Sequence, residues 1–131
     1  MERSGNLRSK YFAWLFHLTF KNKLYTDENL THLSAFHAQQ AIEKSFKAII
    51  EEFDLGLKKT HSLEMLYGKT KEKVTSEINT DLLILLDQLY IDARYPGELG
   101  LLPDGKPSIS EAREFYNLGK MIYESAKSSC K

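Results

Sequence analysis

Four histidines, one cysteine and a polar stripe are the residues of this chain best able to do chemistry. His17, His32, His37 and His61 are the histidines, and only His32 and His37 are close in sequence. They are five positions apart, which puts them about 140° apart on a helix, so they would not share a metal ion. The spacing reads His37 as a helix-packing residue and His17 and His32 as surface or interface residues. The single cysteine, Cys130, has no companion for a disulfide or a zinc site and is a poor candidate nucleophile. Glu51 and Glu52 are adjacent, point apart on a helix, and cannot flank one substrate bond. No glycine-rich phosphate loop, nucleophile elbow or paired zinc-binding histidine motif is present. No catalytic residue, metal ligand or cofactor is assigned.

The sharper candidate is a binding set. Gln40, Lys44 and Lys47 recur at helical spacing and form one stripe, while Arg94 and Tyr95 stand where an apolar run gives way to a loop. Lysine and arginine can hold phosphate, and tyrosine can stack on a base. His61 follows Lys58 and Lys59 at the start of a short helical pattern, where free backbone amides favour anions. The competing reading leaves Lys44 and Lys47 merely solvated and Arg94 paired with an acidic neighbour.

These residues need elements to position them, and the apolar spacing is helical almost throughout. A leading helix is expected over about 4–21, with Tyr11, Trp14, Leu15 and Leu18 on one side and Phe12 and Phe16 widening the stripe. Thr26 or Asp27 offers an N-cap for a second helix over about 28–53. Its stripe of Ala38, Ile42, Ser45, Ile49 and Phe53 lies beside another of Leu30, Leu33, His37, Ala41 and Ala48, as in a helix contacted on two sides. Glu43 and Lys47 stand one turn apart in the favourable order. Gly56 is the expected stop.

A short helix over about 61–67, closed by Gly68, comes next. A longer one over about 75–94 carries Ile78, Leu82, Leu85 and Leu89 in a seam, broadened by Leu83, Leu86 and Tyr90. Pro96 disfavours helix at Tyr95. All three prolines lie in 95–107, a loop of the length at which loops tend to carry function. Ser108 and Glu111 have the spacing of a capping box, opening a last helix with Ala112, Phe115, Gly119, Ile122 and Ala126 on its buried face.

Composition agrees with one domain covering 1–131. The chain has 131 residues, 42% hydrophobic and 27% charged, enough for one modest core and against disorder. Lys and Arg number 18 against 18 Asp and Glu, so no global basic field drives nucleic-acid binding. No apolar stretch approaches the roughly 20 residues of a membrane span, and the N-terminus lacks the pattern of a signal peptide. A cytoplasmic protein is expected.

The run Phe36-His37-Ala38-Gln39-Gln40-Ala41-Ile42-Glu43-Lys44-Ser45-Phe46-Lys47-Ala48 resembles the central-helix signature of HEPN domains. Thr60-His61-Ser62-Leu63 is similar to a second motif of that family, and Ala93-Arg94-Tyr95-Pro96 to a third, in the family's order. The resemblance implies an all-α, four- to five-helix up-and-down bundle, commonly a homodimer. It implies a place among nucleotide-binding modules, ribonuclease toxins, or small proteins that partner a minimal nucleotidyltransferase as a toxin–antitoxin pair. Gln40, Lys44, His61 and Arg94 stand in the matching motifs.

The ribonuclease branch of the family has an arginine followed by four to six residues and a histidine. Arg94 is followed at those distances by Leu99, Gly100 and Leu101, and no arginine here has a histidine so placed. The general acid–base group of that branch is therefore missing. The expectation is a binding and assembly protein, partnering a minimal nucleotidyltransferase and binding nucleotide or RNA. The alternative is an endoribonuclease with a non-standard site, built on Arg94 with His61 or Tyr95.

Overall fold

The computed structural model describes residues 24–56, 60, 62–74, 77–94 and 106–129, the side chains of Leu24 and of 92–94 excepted. The expected leading helix, with Trp14 and His17, lies outside them, as do His61, Tyr95 and Cys130. After a 3-10 turn at Leu24–Thr26 come four α-helices: α1 (Thr31–Glu52), α2 (Leu63–Thr70), α3 (Thr80–Arg94) and α4 (Ile109–Ser129). There is no strand among the described residues, and the chain is the all-α bundle its spacing predicts.

α1 is the centre. It packs against α4 most extensively and against α2 and α3 on other sides, while α3 and α4 hardly touch each other among the described residues. Ala35, Ala38, Ala41, Ser45 and Ala48 on α1, and Ala112, Gly119 and Ala126 on α4, are buried. Small residues let two helix backbones approach closely. Ile42, Phe46, Ile49, Leu63, Leu66, Leu83, Leu86, Phe115 and Ile122 fill the space around them and are essentially sealed from solvent. At roughly 1.5–3 kcal/mol for each large apolar side chain removed from water, this cluster is the main force holding the helices.

Direction follows from contacts at the two ends. Thr31, first in α1, donates its hydroxyl to the carbonyl of Pro107 just before α4, at 2.6 Å. At the far end the Lys73 ammonium lies 4.6 Å from the Phe53 ring centre, and the Lys73 carbonyl accepts from the Ser129 hydroxyl at 3.4 Å. α1 and α4 therefore run parallel. α3 runs antiparallel to α1: Phe36 meets Tyr90, while Gln39, three residues later, meets Asp87, three residues earlier.

Several boundaries differ from expectation. Asp27 does cap, but caps a turn: its Oδ1 accepts from the Asn29 amide at 2.9 Å, and its carbonyl from the Leu30 amide. This local bonding competes with helix and delays α1 to Thr31. At the other end the left-handed residue that closes the helix is Asp54 (φ 51°), ahead of the expected Gly56. The Leu55 amide bonds the Ile50 carbonyl and the Asp54 amide that of Glu51, the paired bonds of a Schellman stop. Gly56 is left-handed too, two residues further on.

α2 starts at Leu63 and runs through Gly68 to Thr70, whose hydroxyl donates back to the Leu66 carbonyl at 3.1 Å. α3 starts at Thr80, not 75, because the Asn79 side chain accepts from the Asp81 amide at 2.9 Å. Its buried line is Leu83 and Leu86, while Leu82, Leu85 and Leu89 are only partly covered. The capping box of α4 is present in both halves: Ser108 N to Glu111 Oε1 at 2.9 Å, and Glu111 N to Ser108 Oγ at 3.0 Å.

Candidate functional site

Because α1 is covered on most sides, only one strip of it meets solvent along its middle. Phe36, His37, Gln40, Lys44 and Lys47 are all partly exposed there, between buried neighbours. The stripe Gln40–Lys44–Lys47 thus shares one side of the helix that packs against all the others.

None of its three members is simply solvated. The Gln40 side-chain amide donates to Gln39 Oε1 at 2.8 Å. The Lys47 ammonium donates to Glu43 Oε2 at 3.0 Å, and the Lys44 ammonium stands 3.7 Å from the same oxygen. The Glu43 side chain is only 1% exposed, against 26% for Lys47 and 39% for Lys44. A carboxylate so buried needs a counter-charge, and here two lysines share one carboxylate oxygen. The trio carries a net +1.

The first turn of α2 lies beside this trio. Asp87 of α3 accepts the Leu63 amide at 2.8 Å through Oδ2, and also a bond from the Glu64 amide and one from the Gln39 side chain. The Ser62 hydroxyl accepts from the Met65 amide, and the Thr60 hydroxyl from the Ser62 amide. Burial pushes the Asp87 carboxyl above the usual carboxylate range, Glu43 pushes the same way, and the three hydrogen bonds pull against them. The amides that make a helix start attractive to an anion are therefore already met, by the chain's own Asp87 and Ser62. That removes the helix-start argument for an external anion at His61, whose own placement lies outside the described residues.

An aromatic floor adjoins the strip. Phe36 stacks on Tyr90, with ring centres 5.5 Å apart and planes 22° from parallel, and His37 meets Phe36 edge-on at 5.8 Å. Burial makes His37 harder to protonate than usual, as expected of a packing histidine. Arg94 is the last residue of α3, one turn beyond Tyr90. Its side chain lies outside the described residues, as does all of Tyr95, so neither is placed against the strip.

The structure brings together Gln40, Lys44 and Lys47, and adds what spacing did not single out: Glu43 as a buried hub, Asp87 as the cap of α2, and the Phe36–Tyr90 stack. Asp87 had a signal in the sequence, as the lone acid inside the apolar run from Leu82 to Tyr90. Among the described residues no group of His, Cys, Asp and Glu is arranged to hold a metal, and no helix is long and apolar enough to cross a membrane.

No curated protein and no solved structure matches the chain. The HEPN domain family matches residues 21–128, nearly the whole chain. The match takes in all four helices, short of the last residue of α4, and the protein belongs to the HEPN domain family.

Proposed function

We propose that this HEPN chain is a binding and assembly module of the cytoplasm, a homodimer that partners a minimal nucleotidyltransferase in a toxin–antitoxin-type pair. On this reading the strip of Gln40, Lys44 and Lys47 receives an anionic group: a nucleotide, an RNA phosphate, or a carboxylate of the partner. The observation that carries it is the strip itself, with two ammonium groups on the partly exposed side of the central helix and the Phe36–Tyr90 stack two to three turns earlier on the same strip. Positive charge and an aromatic face set along one strip are groups that an extended phosphate-bearing partner can meet in turn. The lack of a histidine at the family spacing after Arg94 favours binding over RNA cleavage.

The test is co-expression with a minimal nucleotidyltransferase, the candidate being any that a neighbouring reading frame encodes. Co-elution at a fixed ratio, weakened by Lys44→Glu, is the expected result, with a dimer mass for the free protein by light scattering. Separate elution of the two proteins overturns the assembly reading. RNA cleavage by the wild type that is lost in Arg94→Ala would replace it with the ribonuclease.

A further inference from the structure

The strip on α1 changes character along its length. Its first half is apolar: Leu33 is 37% exposed, and one turn later Phe36 lies partly exposed against Tyr90 of α3. Its second half is cationic, with the Lys44 side chain 39% exposed and that of Lys47 26% exposed. The run from Leu33 to Lys47 spans about 21 Å of helix. The Lys44 ammonium stands 3.7 Å from the Glu43 carboxylate, too far for a hydrogen bond, so its N–H donors are not spent there.

We propose that the strip is a docking surface for one amphipathic helix of a partner protein, with apolar side chains at one end of its contact face and carboxylates at the other. This rests on the reading of the strip as an anion-receiving surface and names its occupant as a carboxylate-bearing helix rather than a nucleotide or RNA.

Charge argues against a polyanion. Five of the 18 basic residues and one of the 18 acidic residues lie in 1–23, so 24–131 hold 13 Lys and Arg against 17 Asp and Glu. Nucleic-acid affinity grows with the number of phosphates neutralised. Here two lysines that share one carboxylate stand on a net acidic body. A helix bearing one or two carboxylates needs no more than those two lysines. Leu33 points the same way, because an exposed aliphatic side chain gains from burial against another apolar group. A sugar–phosphate backbone supplies none.

Backbone chemistry argues for a helix. An extended peptide seeks a sheet edge to pair its amides and carbonyls, and there is no strand among the described residues. A helix bonds its backbone internally and presents side chains every three or four positions. Leu33, Phe36, Gln40, Lys44 and Lys47 recur at the same interval. The chain's own residues 1–23 carry apolar side chains, but their charge has the wrong sign for the lysine end.

The test selects binders to the full-length protein from a displayed library of helical peptides of about 20 residues, long enough to span the strip, randomised on one face. Enriched peptides should carry large apolar residues at one end of that face and Asp or Glu two to three turns away. The best of them, followed by fluorescence anisotropy, should bind about tenfold more weakly to Lys44→Glu and to Leu33→Glu. Circular dichroism confirms that each variant is folded. Exchanging the peptide's acids for lysine should abolish binding to wild type and restore it to Lys44→Glu, a reversal that a mere loss of stability does not produce. Enrichment without the acidic end, or a binder indifferent to both substitutions, overturns the helix. A single-stranded RNA that binds more tightly than the peptide, and is lost in Lys44→Glu, overturns it in favour of nucleic acid and leaves the strip an anion site. A fall from dimer to monomer mass in Leu33→Glu or Lys44→Glu overturns it in favour of a second copy of this chain. Co-elution with a nucleotidyltransferase is measured separately, so failure of the docked helix and failure of the assembly reading are told apart.

Discussion

The Asp87 carboxylate accepts the Leu63 backbone amide at 2.8 Å, so a side chain of α3 closes the first turn of α2. Leu63 is itself fully buried, so its amide depends on this acceptor from the half-buried Asp87. Removing the acceptor in Asp87→Ala leaves helix-start amides without a partner and should cost about 1–3 kcal/mol in chemical denaturation. Asp87→Asn keeps an acceptor and sheds a partly buried charge, so it should stay within about 1 kcal/mol of wild type.

The same carboxyl fixes a pH dependence. Its folded pKa is raised, chiefly by burial, so the folded state binds its proton more readily than the unfolded chain does. Its contribution is then full below the unfolded value near 3.8 and is lost as pH rises through the folded value. Comparing wild type with Asp87→Asn should show wild type gaining relative stability on mild acidification. His37 acts in the opposite sense: its lowered pKa contributes stability above about pH 6.5 that is lost as pH falls through the folded value. Denaturation midpoints from pH 4 to 8, with His37→Gln alongside, separate the two.

Lys44 and Lys47 should differ although both approach Glu43. Lys47 is the closer and the better covered, so Lys47→Met should destabilise by about 1–3 kcal/mol by weakening the hold on a buried carboxylate. Lys44→Met should cost no more than about 0.5 kcal/mol, as for an exposed ion pair. Urea midpoints of the two variants give the comparison, and equal losses would contradict the asymmetry.

Asp54 holds a left-handed conformation at the end of α1, one that glycine adopts without the crowding a Cβ brings. Asp54→Gly should therefore stabilise by about 0.5–1 kcal/mol, read as a higher melting temperature. Loss of stability would mean that the aspartate side chain does more here than tolerate the turn.

Ser108 and Glu111 bond reciprocally at the start of α4. Ser108→Ala should cost about 1 kcal/mol, with a smaller loss in Ser108→Asp, which can still accept from the Glu111 amide. Thermal melts of the two variants check the order.

Much of the bundle is legible in the sequence because burial imposes a period. The faces of α1 and α4 follow from it, and so does the capping box, whose two halves are neighbours in the chain. Boundaries were harder where side chains bond their own backbone. Asp27 and Asn79 each divert a helix start, and Asp54 takes the role that glycine usually fills. At the candidate site, spacing found Gln40, Lys44 and Lys47 because they share one helix face. It paired Glu43 with Lys47 one turn apart but said nothing of how deep Glu43 lies, because depth is a property of the assembled bundle. Asp87 stands out in the sequence only as a lone acid in an apolar run; its role was out of reach, because its partners Gln39, Glu43 and Leu63 come from two other helices.

The hydroxyl of Thr31 and the carbonyl of Pro107 are 76 positions apart in the chain, yet they join the start of the central helix to the helix it packs against most. This pairing closes one of the longest loops in the molecule, and such closure slows folding because its entropy is lost before contacts reward it. On the ribosome, α1 emerges with its alanine face uncovered and stays so until α4 has been synthesised. The broadest packing face of the central helix is therefore the last to be covered as the described chain is made.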